Sequence, residues 1–96
     1  MSKARAFEVT YDAEADVMYI TQQAKAAVRG AEDEFGIVWR LDEQGQIFGA
    51  TVVDFADRWI GEQSRLAVRL SEGFGISTLQ ASGLVSRAAA GRRNAS

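Results

Sequence analysis

Residues 35–55 carry the pattern that most restricts the fold of this 96-residue chain. Between positions 35 and 41 every second residue is large and apolar, and a period of two is typical of a strand with one buried face. The segment 46–55 is apolar on both faces, and the intervening Asp-Glu-Gln-Gly sequence puts Gly45 where a tight turn needs a positive φ. We therefore predict an antiparallel hairpin here.

Two further strands are predicted closer to the start of the chain. Residues 7–11 alternate between apolar and polar types, while residues 17–21 are apolar on both faces and rich in strand-forming types. Residues 26–30 have the composition of a weak edge strand. The acidic run 32–34 is typical of a solvated connection.

The segment 61–72 is predicted to be a helix. Its residues are acceptable in helices, and Leu66, Ala67 and Leu70 are spaced to share one face. A strand is the competing interpretation, because Leu66, Val68 and Leu70 also alternate, and a short apolar pattern does not decide between the two.

A second helix is predicted after the Gly-Phe-Gly sequence at 73–75, which should interrupt the first one. Ser77 and Gln80 have the spacing of a capping box, so this helix should begin there and run to about Ala90. Residues 91–96 are predicted to be a flexible basic tail.

These segments predict one domain over residues 1–96, since a chain this short has apolar material for a single core. The fold class is α+β, with an antiparallel β-meander of about four strands at 7–57. Two short C-terminal helices follow at 61–90.

The chain contains no cysteine and no histidine. Disulfides, the usual zinc sites and imidazole acid–base chemistry are therefore excluded. We expect no cofactor and no enzymatic activity. No stretch has the roughly 20 apolar residues of a membrane span and the start of the chain lacks a signal-peptide pattern, so we expect a cytoplasmic protein without membrane partners.

Charge is distributed unevenly along the chain. Residues 1–57 contain eleven acidic and five basic residues, a net charge of −6, whereas residues 58–96 contain two acidic residues and six arginines, a net charge of +4. The two parts are electrostatically complementary.

A resemblance to a known family lies in a Tyr-Asp-Ala-Glu-Ala-Asp-Val-Met-Tyr-Ile sequence and in the glycines and acids of the hairpin. The residues that carry it are Tyr11–Ile20, Gly36–Val38, Asp42, Glu43, Gly45, Gly49, Val53 and Asp54. On these residues, the segment 7–57 resembles the small uncharacterised bacterial family called domain of unknown function 2283.

The resemblance implies a compact antiparallel β-meander and no catalytic residues, since none is established for the family. It also implies a small toxin-like protein partner, because such proteins are associated with gene pairs that encode one. Trp39 and Arg40 stand where members usually have plainer residues, and the extension 61–96 lies beyond the typical family end.

Asp12, Glu14 and Asp16 are candidate metal ligands, because carboxylates two residues apart project from one side of an extended chain. A calcium loop of the EF-hand type would need a glycine at Val17 and an acid at Gln23. We therefore predict a structural role, in which the aspartates bind nearby backbone amides and shape the turn. A weak carboxylate metal site remains an alternative.

The C-terminal segment is the basis of a rival interpretation, a small DNA-binding regulator. Residues 61–90 superficially resemble a helix-turn-helix, with polar residues at the start of a would-be recognition helix: Ser77, Thr78, Gln80 and Ser82. The acidic total charge argues against nucleic acid as a partner. We predict that Arg87, Arg92 and Arg93 belong to a solubilising or partner-facing tail.

Both tryptophans, Trp39 and Trp59, are predicted to be core residues, with a partner-binding role as the alternative. The sheet is predicted to have one face under the helical residues Leu66, Leu70 and Leu84. That face would consist of Val17, Tyr19, Ile37, Trp39, Leu41, Ile47, Val53 and Phe55.

The opposite face would still be apolar, which an antiparallel sheet facing water is not. Its predicted residues are Met18, Ile20, Val38, Phe48, Ala50 and Val52. A homo-oligomer, most simply a two-fold dimer, would cover them. We therefore expect a non-enzymatic protein-interaction module whose interface comprises Met18, Ile20, Val38, Phe48 and Val52.

Overall fold

The structure, a computed structural model, describes residues 7–22 and 29–94. In chain order its elements are β1 (Glu8–Asp12), β2 (Val17–Thr21), β3 (Arg29–Glu32), β4 (Ile37–Leu41), β5 (Ile47–Val53), a π-helical turn (Phe55–Trp59), α1 (Gln63–Phe74) and α2 (Thr78–Asn94). The α+β class is confirmed, with five strands rather than about four. Positions 26–28 of the predicted edge strand lie outside the described residues, and β3 begins at Arg29.

The strands form one antiparallel sheet in the order β1-β2-β5-β4-β3. This order differs from a simple meander because β5 lies between β2 and β4. Every residue of β5 is buried or half-buried, whereas all four residues of β3 are exposed. The most apolar strand therefore takes the centre and the most polar one an edge, which is how a sheet limits exposed apolar surface.

The registers assign the side chains of the sheet to two faces. Ile37 pairs with Val52, Val52 with Met18, and Met18 with Tyr11. Because directly paired residues lie on the same face, these four share one side of the sheet. The helical residues Leu66, Leu70, Leu84 and Val85 belong to the same buried cluster, so we call this side the covered face.

The other side, the open face, has no described helix packed on it. Its central residues are again fixed by register, with Val38 paired with Thr51, Thr51 with Tyr19, and Tyr19 with Thr10. The complete set on the described strands is Glu8, Thr10, Asp12, Val17, Tyr19, Thr21, Gly30, Glu32, Val38, Arg40, Gly49, Thr51 and Val53.

The predicted division of residues between the faces is wrong for β2 and in part for β5. Met18, Ile20 and Val52, predicted to be uncovered, are 0%, 3% and 0% exposed and lie under the helices. Val17 and Tyr19, predicted to be covered, lie on the open face. The physical reason is that β2 is apolar at four consecutive positions, so its composition does not indicate which alternate set faces the core.

The helix predicted at 61–72 is confirmed, since α1 spans Gln63–Phe74. The helix was predicted to be interrupted at Gly73, but it continues through Phe74. The helix ends at Gly75, whose φ of 70° is left-handed and whose N–H donates to the Ser71 carbonyl at 2.9 Å.

The start of α2 is also as predicted, because the Gln80 N–H donates to Ser77 Oγ at 3.1 Å. Its end is not. The helix continues through Asn94, so residues 91–94, predicted to be part of a flexible tail, are helical. Within the described residues, no helix is long and apolar enough to cross a membrane.

Candidate functional site

The acidic turn between β1 and β2 is built around Asp12 and Asp16. Asp12 Oδ1 accepts the backbone N–H groups of Glu14 at 3.1 Å and Ala15 at 3.2 Å. This confirms that Asp12 shapes the turn, while Glu14 is exposed.

Asp16 binds groups much farther away in sequence. Its Oδ1 accepts the Tyr11 hydroxyl at 2.6 Å and the Ala56 N–H at 2.8 Å, and its Oδ2 accepts the Asp57 N–H at 3.2 Å. The Phe55 N–H donates to the backbone carbonyl oxygen of Asp16 at 3.0 Å. Asp16, which itself has a left-handed φ of 58°, therefore fastens the first turn of the sheet to the π-helical turn after β5.

These bonds shift the pKa values of both side chains of the Tyr11–Asp16 pair. Burial acts to raise the pKa of Asp16, but the hydrogen bonds from Tyr11, Ala56 and Asp57 outweigh it, so the pKa of the carboxyl lies below its ordinary value. The hydrogen bond to the carboxylate, with burial, raises the pKa of the Tyr11 hydroxyl. Asp16 is an ionised hydrogen-bond acceptor.

A second aspartate, Asp33, has a comparable role in the β3–β4 turn, where a solvated connection was predicted. Its Oδ1 accepts the N–H groups of Phe35 at 2.9 Å and Ile37 at 3.0 Å, and its Oδ2 accepts the Trp39 indole N–H at 3.1 Å. Asp33 is half-buried. Among residues 7–22 and 29–94, no three His, Cys, Asp or Glu side chains are grouped so that they could hold a metal ion.

Both tryptophans pack in or against the core, as predicted. Trp59 is 7% exposed and belongs to the buried cluster. Trp39 is half-buried and makes an edge-to-face contact with Phe74, with ring centroids 5.5 Å apart.

The five predicted interface residues do not form one surface. Met18, Ile20 and Val52 are in the core, and Phe48, 6% exposed, is the extra residue of a β-bulge between the Arg40–Gly49 and Leu41–Ile47 pairs. Val38 alone is on the open face, where it is half-buried.

The open face contains a large exposed side chain of its own, Tyr19, which is 41% exposed. Beside it lies Arg40, whose guanidinium donates to Thr51 Oγ1 at 3.2 Å. These side chains, with Thr21 and Gly49, line a shallow depression of about 280 Å³. This pair was not predicted from the sequence, because Tyr19 was assigned to the covered face.

The C-terminal arginines are not all free of the fold. Arg87 donates to the Phe7 carbonyl at 3.1 Å and so attaches α2 to the residue before β1. Arg92 is close enough to Asp16 to lower the pKa of that carboxyl. Ser77, a candidate DNA contact, caps α2, and the DNA-binding alternative stays a prediction.

Comparison with family models gives one match, described as "Protein of unknown function (DUF2283)", over residues 8–55. The match begins at the first residue of β1 and ends where the π-helical turn begins, so it covers the whole sheet and neither α-helix. No curated protein matches the chain. No solved structure matches it either. The family match covers half of the chain and agrees with the resemblance of residues 7–57, and the chain belongs to the DUF2283 family.

Proposed function

We propose that the protein is a non-enzymatic interaction module that associates with a second copy of itself through the open face. The observation that carries this proposal is the exposed Tyr19, with the half-buried Arg40 beside it, at the middle of a sheet face on which no described helix packs. Tyrosine and arginine, with tryptophan, are the residue types enriched among the side chains that dominate binding energies.

The rest of the open face supports the same use. Val17, Val38 and Val53 are apolar, and Thr51 is buried at 8% exposure by its neighbours. The acidic residues that share this face, Glu8, Asp12 and Glu32, are on the two edge strands, and Arg40 is the charged residue nearer its centre. An apolar centre with a charged rim is the usual anatomy of a protein interface, and two sheets can pack face to face at about 10 Å.

A non-enzymatic role is supported by the residue types available. The chain has neither histidine nor cysteine, and the carboxylates of Asp12, Asp16 and Asp33 accept hydrogen bonds from the fold itself. The toxin-like partner implied by the family is an alternative occupant of the open face.

The test compares two aspartate substitutions at exposed apolar residues. Tyr19→Asp alters the open face, and Leu79→Asp, at an 84% exposed position of α2, is the matched control. Light scattering at micromolar concentration should give twice the chain mass for the wild type and the control, and the single mass for Tyr19→Asp with an unchanged circular dichroism spectrum. A single mass for the wild type would overturn self-association.

A further inference from the structure

A second concave surface lies along the outer side of α1, away from the open face. It is a groove of about 570 Å³, within the usual size range of ligand sites. Its lining residues are Phe35, Trp59, Ser64, Arg65, Val68, Arg69 and Glu72. We call it the α1 groove. Three of these residues are apolar or aromatic. Among them Val68, an apolar residue of α1, is 43% exposed.

Hydrogen-bond donors predominate in this groove. Arg65 and Arg69 are one helical turn apart on α1, and the guanidinium of Arg69 lies 4.0 Å from the centroid of the Phe35 ring. Trp59, 7% exposed, has an indole N–H that is buried and has no acceptor among the described residues. This N–H is itself inaccessible to solvent, so the donors that a ligand in the groove can reach are those of the arginines.

Two glutamates balance the arginines in formal charge, and one of them, Glu72, lines the groove while Glu62 does not. Glu62 lies 3.1 Å from Arg65, and Glu72 lies 3.8 Å from Arg69. All four side chains are between 43% and 81% exposed, and exposed pairs of this kind contribute little free energy. The arginines can therefore exchange these partners for the carboxylates of a bound chain at small cost.

We propose that the α1 groove binds an acidic peptide segment of a partner protein, with an apolar side chain of that segment packed between Phe35 and Val68. Carboxylates of the segment accept hydrogen bonds from Arg65 and Arg69. The ligand is a peptide rather than a small anion, because an anion of phosphate size would leave the apolar wall and most of the 570 Å³ unused. The proposal is independent of self-association through the open face.

Fluorescence anisotropy of a labelled glutamate–leucine octapeptide tests the proposal, with a lysine–leucine octapeptide of the same length as the probe control. The full chain should bind the acidic peptide saturably and more weakly as salt is raised, because charge attraction is screened. Arg65→Gln and Arg69→Gln should each weaken binding by about fivefold, and Val68→Asp by about tenfold.

Two exposed residues outside the groove provide matched controls, Arg29→Gln on β3 and Leu79→Asp on α2. Both should bind the peptide within about twofold of the wild type, the change expected of residues outside an interface. Equal weakening by Arg29→Gln and Arg69→Gln would mean unspecific charge attraction and would overturn the proposal. Absence of binding at about 1 mM peptide, equal binding of the lysine peptide, or full competition by an equal concentration of inorganic phosphate would overturn it as well.

Discussion

The two faces of the sheet are built from the same strands and differ in what packs on them. On β2, Met18 is 0% exposed and the next residue, Tyr19, is 41% exposed. The covered face is closed by α1 and α2, both of which lie beyond the family-matched residues, whereas the open face lies wholly within them. The family-matched residues therefore form the sheet, the residues after them cover one of its sides, and no described helix packs on the other side.

The largest expected effect tests whether the neighbouring residues Met18 and Tyr19 lie on opposite faces of the sheet, one buried and one exposed. Met18→Ala should lower the free energy of unfolding by about 3 kcal/mol, because it leaves a cavity in the core. Tyr19→Thr, which keeps a strand-forming residue, should cost less than about 1 kcal/mol. Urea denaturation of both variants measures the difference.

Repeating these denaturations at two protein concentrations sharpens the comparison. The cost of Met18→Ala should not depend on concentration, whereas the cost of Tyr19→Thr should rise with it if the open face is an interface between copies. Equal costs for the two variants at low concentration would contradict the assignment of faces.

A pair of helical glycines tests how closely the covered face is packed. A Cβ added at Gly73 would lie 2.2 Å from the Trp39 ring, whereas one added at Gly83 would meet nothing within 4 Å. We expect Gly73→Ala to destabilise the protein by about 2 kcal/mol through overpacking. Gly83→Ala should instead stabilise it by about 0.5–1 kcal/mol through helix propensity.

Thermal unfolding of the two glycine variants should therefore give shifts of opposite sign. If Gly73→Ala were as stable as Gly83→Ala, α1 would have room to move away from Trp39, and the covered face would be less tightly closed than described.

Local patterns in the sequence predicted both helices, the first with a strand as the competing interpretation, and one turn. The Asp-Glu-Gln-Gly turn at 42–45 was predicted, and the Asp42 N–H donates to the Gln46 carbonyl at 2.9 Å. The same Asp-Glu-x-Gly pattern occurs at 33–36 with the same bonds, Asp33 N–H to the Ile37 carbonyl at 2.9 Å. This second turn was predictable from the sequence, but its acidic residues were interpreted as a solvated run.

Contacts between distant residues were not predictable from local patterns. The phase of β2 depends on its pairing with β5, more than 25 residues later, and a strand apolar on both sides carries no signal for it. Asp16 was recognised as structural, yet its partners Ala56 and Asp57 are 40 and 41 residues away. The open-face pair Tyr19–Arg40 was missed for the same reason as the phase of β2.

The smallest effect concerns Asp16. Its hydrogen bonds attach the β1–β2 turn to the π-helical turn that follows β5. Asp16→Asn keeps a side chain that tolerates a left-handed φ but removes the charge that strengthens the bonds from Tyr11, Ala56 and Asp57. We expect a loss of about 1.5 kcal/mol at neutral pH. Glu14→Gln, at an exposed position of the same turn, should change stability by less than about 0.5 kcal/mol.

The pH dependence identifies the cause of this loss. The pKa of Asp16 is lower in the folded protein than its ordinary value, so the unfolded chain binds the proton first, at about pH 3.9. The stabilisation by the ionised carboxyl is therefore present above that pH and is lost as the pH falls through the folded-state pKa. Urea denaturation from about pH 7 to about pH 3 should show the free energy of unfolding of the wild type and of Glu14→Gln losing this contribution. Asp16→Asn cannot bind a proton at this position and should lack the contribution at every pH. Parallel curves for all three proteins would show that the ionised Asp16 carboxyl does not stabilise the π-helical turn after β5.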